Sequence, residues 1–207
     1  MRRMRTRGKT LASLVLAIVS TILCFAQGGG QPPAIDTRSS RLVVHVSKAG
    51  LFSAFGDNHE VEASISDGFL DESARRVKFV IESQRMKVLD PQLSPDKRQQ
   101  VQERMLSPEV LDVARFPQIK FESTSVEQAG PGRLVVRGQL WLHGVTRPVT
   151  VNVHTESGRY VGNAAFKQQD FGITPVSIAG GTVKVKDELK IEFDIRMNTH
   201  AAAVTSK

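Results

Sequence analysis

The residue types best suited to chemistry occur together in one short run, Gly56-Asp57-Asn58-His59. His59 beside Asp57 supplies an imidazole and a carboxylate, which could ligate a metal ion or contact a polar head group. The same run is also a turn sequence, because Asp and Asn tolerate left-handed backbone conformations. We favour a turn that leads into a strand at His59. Since the chain has no His-x-His pair, no His-Glu-x-x-His motif and a single cysteine, we expect no metal site and no cofactor.

The remaining chemical motifs are weaker. His143 lies at an expected strand end, and its pairing with His59 in space stays open. Asp170 could serve as an acid, but we expect it to top a strand and hydrogen-bond to the backbone of the following turn. The pair Asp187-Glu188 indicates a loop or bulge between two halves of a strand. No nucleophile elbow, phosphate loop or dinucleotide fingerprint occurs, so the sequence favours a non-enzymatic binding protein.

The first 26 residues have the pattern of a cleavable signal peptide. A basic segment precedes a mostly apolar run over residues 11–25, and small residues stand at the two positions that a signal peptidase reads before a cut after Ala26. The basic residues are Arg2, Arg3, Arg5, Arg7 and Lys9. A run of about 15 residues is shorter than the roughly 20 that span a bilayer, which disfavours the alternative of a retained membrane anchor. We therefore expect no stable membrane span after cleavage, and a periplasmic or secreted protein.

Loss of this segment removes the apparent basic character of the chain. Five of the 28 Lys and Arg residues lie in it, and against 21 Asp and Glu residues the mature chain is left at about +2. The high isoelectric point therefore does not indicate nucleic-acid binding, and we expect no nucleic-acid partner. Cleavage also removes Cys24, the only cysteine, which excludes a disulfide bond or a thiol nucleophile in the mature protein.

Alternation of apolar and polar residues with a period of two dominates the rest of the chain and indicates strands. Examples are Leu42-Val44-Val46, Val61-Ala63-Ile65, Val77-Phe79-Ile81, Leu134-Val136 with Leu140-Leu142, and Val149-Val151-Val153, each set being every second residue. Turn residues separate the strands at 56–58, 66–68, 130–132, 157–158 and 180–181. Repeated strands joined by short turns predict an all-β antiparallel sheet, folded as a barrel or sandwich with an apolar interior.

One segment breaks the β pattern. Ser94 before Pro95 is a typical helix N-cap followed by proline at the first helical position, so we predict a helix over residues 95–106. Ser107-Pro108-Glu109 repeats the signal and predicts a second short helix that runs through Leu111.

The chain therefore divides into four predicted segments. These are a signal peptide over 1–26, a flexible linker over 27–34, one β-barrel domain over 35–197 and a disordered tail over 198–207. A domain of this length can bury a core without the help of disulfide bonds.

Several runs in this chain resemble signatures of the YceI-like family, the lipocalin-like, polyisoprenoid-binding barrels of bacteria. The runs are DTRSS at 36–40, MLSPEVLD at 105–112, FPQIKFES at 116–123, GQLWLHGVTRPV at 138–149 and QDFGI at 169–173. They follow the family's order and together cover nearly all of the predicted domain. The chain departs from the family pattern at Trp141, where Thr is usual, and at Gln168-Gln169, where Arg is usual.

The resemblance implies an antiparallel eight-stranded lipocalin-like barrel with one or two short helices in a connection. It also implies that the barrel interior binds an isoprenoid-like or other amphiphilic lipid. The apolar residues that alternation alone would assign equally to a filled core then become cavity lining. The expected ligand contacts are Val44, Val46, Phe52, Phe55, Phe79, Phe121, Leu140, Leu142, Phe166, Phe171, Ile173 and His59.

A different class of function stays open. An envelope stress or interaction protein would have a barrel filled by side chains, would bind no lipid and would use its outer surface for a partner. The state of the interior distinguishes the two, because only a lipid carrier needs a continuous apolar cavity. The sequence also leaves open whether the protein forms a homodimer.

Overall fold

The computed structural model describes residues 32–49, 58–178 and 183–198. Within this part the chain forms eleven strands and one α-helix, α1 (Pro95–Leu106). The strands are β1 (Arg41–Ala49), β2 (His59–Glu62), β3 (Ile65–Asp71), β4 (Arg76–Glu82), β5 (Lys87–Val88), β6 (Gln118–Gly130), β7 (Arg133–Leu142), β8 (Val145–Glu156), β9 (Arg159–Lys167), β10 (Ser177–Ile178) and β11 (Val183–Arg196). The expected signal peptide, most of the linker and nearly all of the tail lie outside these residues.

The strands form one antiparallel sheet that curls until its two ends share a strand. The order is β3-β4-β6-β7-β8-β9-β11-β1-β2-β5, and β10 pairs with β11. β2 pairs with β1 and β3 pairs with β4, yet only residues 63–64 separate β2 from β3. These two strands therefore act as one bent strand that belongs to both ends of the sheet. Residues 34–35 add bridges to Phe69 in β3 and to Met197 just after β11.

The predicted all-β antiparallel barrel is confirmed, with a small difference in strand count. Eight long strands remain when β2 and β3 are taken as one bent strand and the two-residue strands β5 and β10 are set aside. The extra strands arise where connecting segments briefly pair with the rim, β5 with β2 and β10 with β11.

Period-two alternation assigns the two faces of the sheet as expected. Along β7, Leu140 and Leu142 are buried inside the barrel, whereas Trp141 between them is exposed on the outside. Gly138 on the same strand has an inward position, where a Cβ atom would lie only 2.4 Å from the Phe121 ring of β6. Glycine at this position therefore leaves room for an aromatic ring on the inner wall.

Helix α1 has the predicted bounds. The Ser94 hydroxyl accepts a hydrogen bond from the Lys97 backbone N–H at 3.4 Å, and Pro95 opens the first turn. Val101 and Met105 of this otherwise polar helix pack against the barrel core. No helix in the described residues is long and apolar enough to cross a membrane.

The second predicted helix, over 107–111, is wrong. This segment forms consecutive turns, in which the N–H groups of Val110 and Asp112 both return to the Ser107 carbonyl. Asp112 has a φ of 45°, so the chain cannot continue as a right-handed helix.

The predicted turns at 130–132 and 157–158 are confirmed as the β6–β7 and β8–β9 hairpins. The predicted turn at 66–68 is wrong, because these residues lie inside β3 and Gly68 pairs with Phe79. Glycine serves close packing there, since a Cβ atom would lie 2.7 Å from the Lys78 carbonyl oxygen. The predicted turns at 56–58 and 180–181 lie almost wholly outside the described residues.

Candidate functional site

The inner walls of the curled sheet enclose a cavity of about 1260 Å³. Alternating apolar side chains from every long strand line it, because each strand turns one face inward. Ligand cavities in proteins typically measure about 300–1,000 Å³, so this one has room for a long or bulky ligand. Inward-facing residues such as Val151, Val153 and Phe193 are only partly buried, which shows that neighbouring side chains do not fill the interior.

Most of the residues selected from sequence lie together on this wall. Those that line the cavity are Val44, Val46, His59, Phe79, Phe121, Leu140, Leu142, Phe166 and Ile173. Contact between these residues and a ligand stays a prediction. Phe52 and Phe55 lie outside the described residues.

Phe171 has a different position from the one expected. It is fully buried but does not line the cavity, because it ends a short 3₁₀ turn over 169–171 and packs behind Phe166. The two rings meet edge to face, with 5.2 Å between their centroids. Phe171 therefore supports the wall through Phe166 and cannot be a wall residue itself.

One end of the cavity carries His59 and helix α1, and we call it the α1 end. His59 faces the cavity from the start of β2, and its Nδ1 lies 2.5 Å from Oδ2 of Asp90. Asp90 is only 1% exposed, and its Oδ1 accepts a hydrogen bond from the Glu60 backbone N–H at 2.8 Å. When Asp90 is ionised, this contact requires a proton on Nδ1 of His59, because a carboxylate can only accept hydrogen bonds.

Further polar side chains line the α1 end. Gln168, at the end of β9, is 5% exposed, and its Nε2 donates to the Lys186 carbonyl at 2.9 Å. Lys184 of β11 and Lys97 of α1 also line the cavity and are exposed to solvent. Sequence reasoning did not select these residues, although Gln168 continues the inward positions of Ala164 and Phe166.

The opposite end, which we call the Tyr160 end, has a different contact. The Tyr160 hydroxyl, on the inward face of β9, donates to Oε1 of Glu72 in the β3–β4 turn. Burial, followed by the hydrogen bond and charge of Glu72, raises the pKa of Tyr160 well above its usual value. Sequence reasoning also missed Tyr160, although its position two residues from Gly162 and four from Ala164 places it on the inward face.

An ion pair supports the same end from outside the cavity lining. Arg159 donates from Nε to Oδ1 of Asp194 at 3.0 Å, across the β9–β11 pair. This hydrogen bond lowers the pKa of the Asp194 carboxyl group.

The other candidate polar residues have structural partners. His143 contacts the Phe171 carbonyl through Nδ1 at 3.2 Å and packs edge to face on Phe116, so its partners differ from that of His59. No group of three or more His, Cys, Asp or Glu side chains in the described residues could hold a metal ion.

The prediction for Asp170 is wrong, and that for Asp187 is confirmed. Asp170 lies in the 3₁₀ turn, where its backbone carbonyl accepts from the Arg147 side chain at 3.0 Å. The carboxylate that holds this turn belongs to Asp187, whose Oδ1 accepts from the Gln169 N–H at 2.9 Å. Asp187 lies where the register between β1 and β11 shifts, so 187–188 form the expected bulge.

Comparison with known proteins places this chain in a family. The sequence model of the YceI-like domain matches residues 34–197, most of the chain. The chain belongs to the YceI-like family. A UPF0312 protein of Shewanella denitrificans is 38% identical over 96 residues, which cover 42% of this chain. That match spans about half the length, 50%, of the Shewanella protein.

A solved structure shares the fold of this chain. BcnA of Burkholderia cenocepacia superposes with a TM-score of 0.59 at 18% sequence identity, covering 78% of this chain and 98% of BcnA. A Campylobacter jejuni YceI protein gives a TM-score of 0.45 at 13% identity, covering 68% of this chain and 82% of that one. At 18% identity, the BcnA likeness establishes a common fold and nothing finer.

The structure locates both departures from the family pattern relative to the cavity. Trp141 is 39% exposed on the outer face of β7 and cannot contact the cavity. Gln168 lines the cavity and is buried, so of the two departures only Gln168 can influence a ligand inside the barrel.

Proposed function

We propose that this chain is an exported, non-enzymatic binding protein that holds an isoprenoid-like or other amphiphilic lipid inside its barrel. The observation that carries the proposal is the cavity of about 1260 Å³, whose wall between its two polar ends is apolar. A flexible apolar chain suits a long cavity of this kind, because it can follow the wall and needs no hydrogen bonds along its length.

Binding would remove apolar surface from water both on the ligand and on the cavity wall. Each CH₂ group that enters an apolar cavity contributes roughly 0.8 kcal/mol. The wall gains as well, since side chains that border empty space lack dispersion contacts on that side. Partly buried residues such as Val151 and Phe193 are the ones that a ligand would cover.

Export of the protein belongs to the same proposal. It rests on the basic and apolar pattern of the first 26 residues, which is typical of a cleavable signal peptide. A carrier in the periplasm would shield a lipid tail from water between two membranes, and this is where such a cavity has an evident use.

The alternative of an envelope interaction protein with a filled barrel is disfavoured. Such a protein needs side chains that pack across the interior at the density of a normal core. The described residues instead leave a continuous, largely apolar cavity.

A pair of variants on β9 tests the proposal. Ala164 lines the cavity between Ile191 and Val151, whereas Ala165 beside it is exposed on the outer face. Ala164→Phe should project a ring into the lumen and obstruct the tail, whereas Ala165→Phe adds the same ring outside. We expect Ala164→Phe to weaken lipid uptake about tenfold or more and Ala165→Phe to leave it unchanged.

The measurement is native mass spectrometry of protein purified gently from a periplasmic fraction. The wild type should carry an adduct of lipid mass, lose it on organic extraction and regain mass on incubation with hexadecanoic acid or a polyprenol. A wild-type spectrum without adduct, and without uptake of either probe, would contradict the proposal. Equal uptake by both alanine variants would contradict the cavity as the binding place.

A further inference from the structure

We infer that the lipid has an acidic head group, a carboxylate or a phosphate monoester, which lies at the α1 end with the tail directed towards Tyr160. The inference rests on the proposed function and adds to it the chemical class of the head group and the orientation of the ligand.

The charged residues that line the cavity are distributed unevenly between its ends. Even with Lys48 left aside, the α1 end has Lys97, Arg104 and Lys184 against Glu103 and Glu109. Glu109 is paired with Arg104 at 3.3 Å, so Lys97 and Lys184 face a single further acid. The excess positive charge at this mouth attracts an anion.

The Tyr160 end is balanced by comparison. Its charged lining residues are Asp71, Glu72, Arg75 and Arg76, two of each sign. Glu72 accepts the Tyr160 hydroxyl, and Arg76 lies 3.8 Å from Glu122 outside the lining. An anionic head group placed here would meet as many carboxylates as guanidinium groups, so this end attracts it less than the α1 end does.

The middle of the cavity excludes a charged head group. The described lining residues between the two ends carry no charge and are nearly all apolar, and an ionised group placed among them would lose its hydration without a charged partner. His59 pairs with Val46 of β1, and Val46 in turn pairs with Leu189 of β11. At the other end, Tyr160 pairs with Ile195 of β11. Leu189 and Ile195 lie roughly 20 Å apart along an extended strand, which gives the distance between the two ends. This distance is apolar wall, which suits a tail.

His59 has the geometry of a head-group ligand. Because Asp90 occupies Nδ1, the ring is held in one orientation, and Nε2 has no hydrogen-bond partner among the described residues. With a proton on Nδ1, Nε2 accepts a hydrogen bond when the ring is neutral and donates one when the ring is protonated, so it can contact either the hydroxyl or the oxygen of an acidic head group. Asp90 touches the ring and not the cavity, which makes it a positioning residue.

Gln168 adds a second polar contact on the far side of the same mouth. One N–H of its side-chain amide is used by the Lys186 carbonyl, while its Oε1 has no partner among the described residues. The amide therefore offers a second N–H and a carbonyl oxygen to a head group. Because Gln168 is only 5% exposed, a charge introduced at this position would interact strongly with a neighbouring anion.

The test uses four probes with the same hexadecyl tail and different head groups. Hexadecanoate, hexadecyl phosphate, hexadecanol and hexadecylamine are added to delipidated full-length mature protein, and dissociation constants are measured by calorimetry. We expect the two acids to bind about tenfold or more tightly than the alcohol, and the amine to bind most weakly. The ratio of carboxylate to phosphate affinity then identifies which acid is preferred.

Charge variants locate the head group. Lys184→Glu and Gln168→Glu should each reduce the preference for acids over alcohol about tenfold. Lys190→Glu is the matched control for Lys184→Glu, because it makes the same change of charge on the same strand at an exposed residue that does not line the cavity. Lys184 is exposed, so its variant should fold even if a buried glutamate at Gln168 prevents folding.

The outcomes separate this inference from the proposed function. Equal binding of all four probes, a preference for the amine, or an equal effect of Lys190→Glu would overturn the inference and leave lipid binding intact. Failure of every probe to bind would overturn the proposed function itself.

A hexadecanoate probe with a diazirine at its tail end should label residues around Tyr160, and labelling at the α1 end instead would overturn the orientation.

Discussion

Each end of the cavity has a ring that faces the cavity and a carboxylate that binds this ring. The two ends differ in which of the two partners is buried. At the α1 end the carboxylate of Asp90 is 1% exposed and binds both the His59 ring and a backbone N–H. At the Tyr160 end the carboxylate of Glu72 lies on an exposed turn, and the ring is the buried partner.

The difference indicates what each contact can do. Loss of its partner would leave the buried Asp90 carboxylate uncompensated, so this contact holds the His59 ring in one orientation. An exposed carboxylate can exchange its partner for water at little cost. The Tyr160–Glu72 contact can therefore exchange with water, whereas the His59–Asp90 contact is fixed.

The largest expected effect is on stability when Asp90 is removed. Asp90→Ala leaves the Glu60 N–H and the His59 ring without their buried partner, and we expect a loss of about 3 kcal/mol in the free energy of unfolding. Glu72→Ala should cost less than about 1 kcal/mol, because its carboxylate is exposed. Urea denaturation of both variants measures the difference, and equal losses would remove the distinction between the two ends.

Removal of the Tyr160 hydroxyl should have an intermediate effect. Tyr160→Phe keeps the buried ring and deletes the bond to Glu72, with an expected loss of about 1 kcal/mol near neutral pH. A loss as large as that of Asp90→Ala, again by urea denaturation, would show that Glu72 is not an exchangeable partner.

The pH dependence of the stability of Tyr160→Phe tests the same contact further. Since the pKa of Tyr160 is raised in the folded state, the unfolded chain loses this proton first as the pH rises above about 10. The contribution is therefore complete below that pH and declines above it, and Tyr160→Phe should lack this part of the decline. Tyr160 is the only tyrosine, so ultraviolet titration of the native protein reports its ionisation directly.

The smallest expected effect is that of Trp141, which departs from the family pattern but faces outward. Trp141→Ala should change the free energy of unfolding by less than about 0.5 kcal/mol, and lipid uptake should match the wild type. Weaker uptake in native mass spectra would mean that the outer face of β7 contributes to binding or delivery.

Local patterns in the sequence were sufficient for much of the fold. Ser94 and Pro95 predicted the start of α1, and alternation predicted which residues of β7 face inward. Predictions failed where a residue typical of a local turn instead serves packing against a distant part of the chain. Gly68 looked like a turn residue, yet it leaves space for Ile35 and Phe79 within β3.

The candidate site was predictable only as a set of inward positions. Alternation places Val44, Phe79 and Phe121 on the inner wall, because successive side chains of a strand must point to opposite faces. The partners at the two ends were not predictable, since Asp90 lies 31 residues from His59 and Glu72 lies 88 residues from Tyr160.

By itself the sequence determined the strands, their inward faces and the helix, since these depend on residues a few positions apart. Only the tertiary structure decided that the interior is hollow, that Phe171 supports the wall from behind and that His59 is held by a buried carboxylate. These features depend on how far the sheet curls and on the register between distant strands. Strand number and tilt set the width of a barrel, and no single residue type records them.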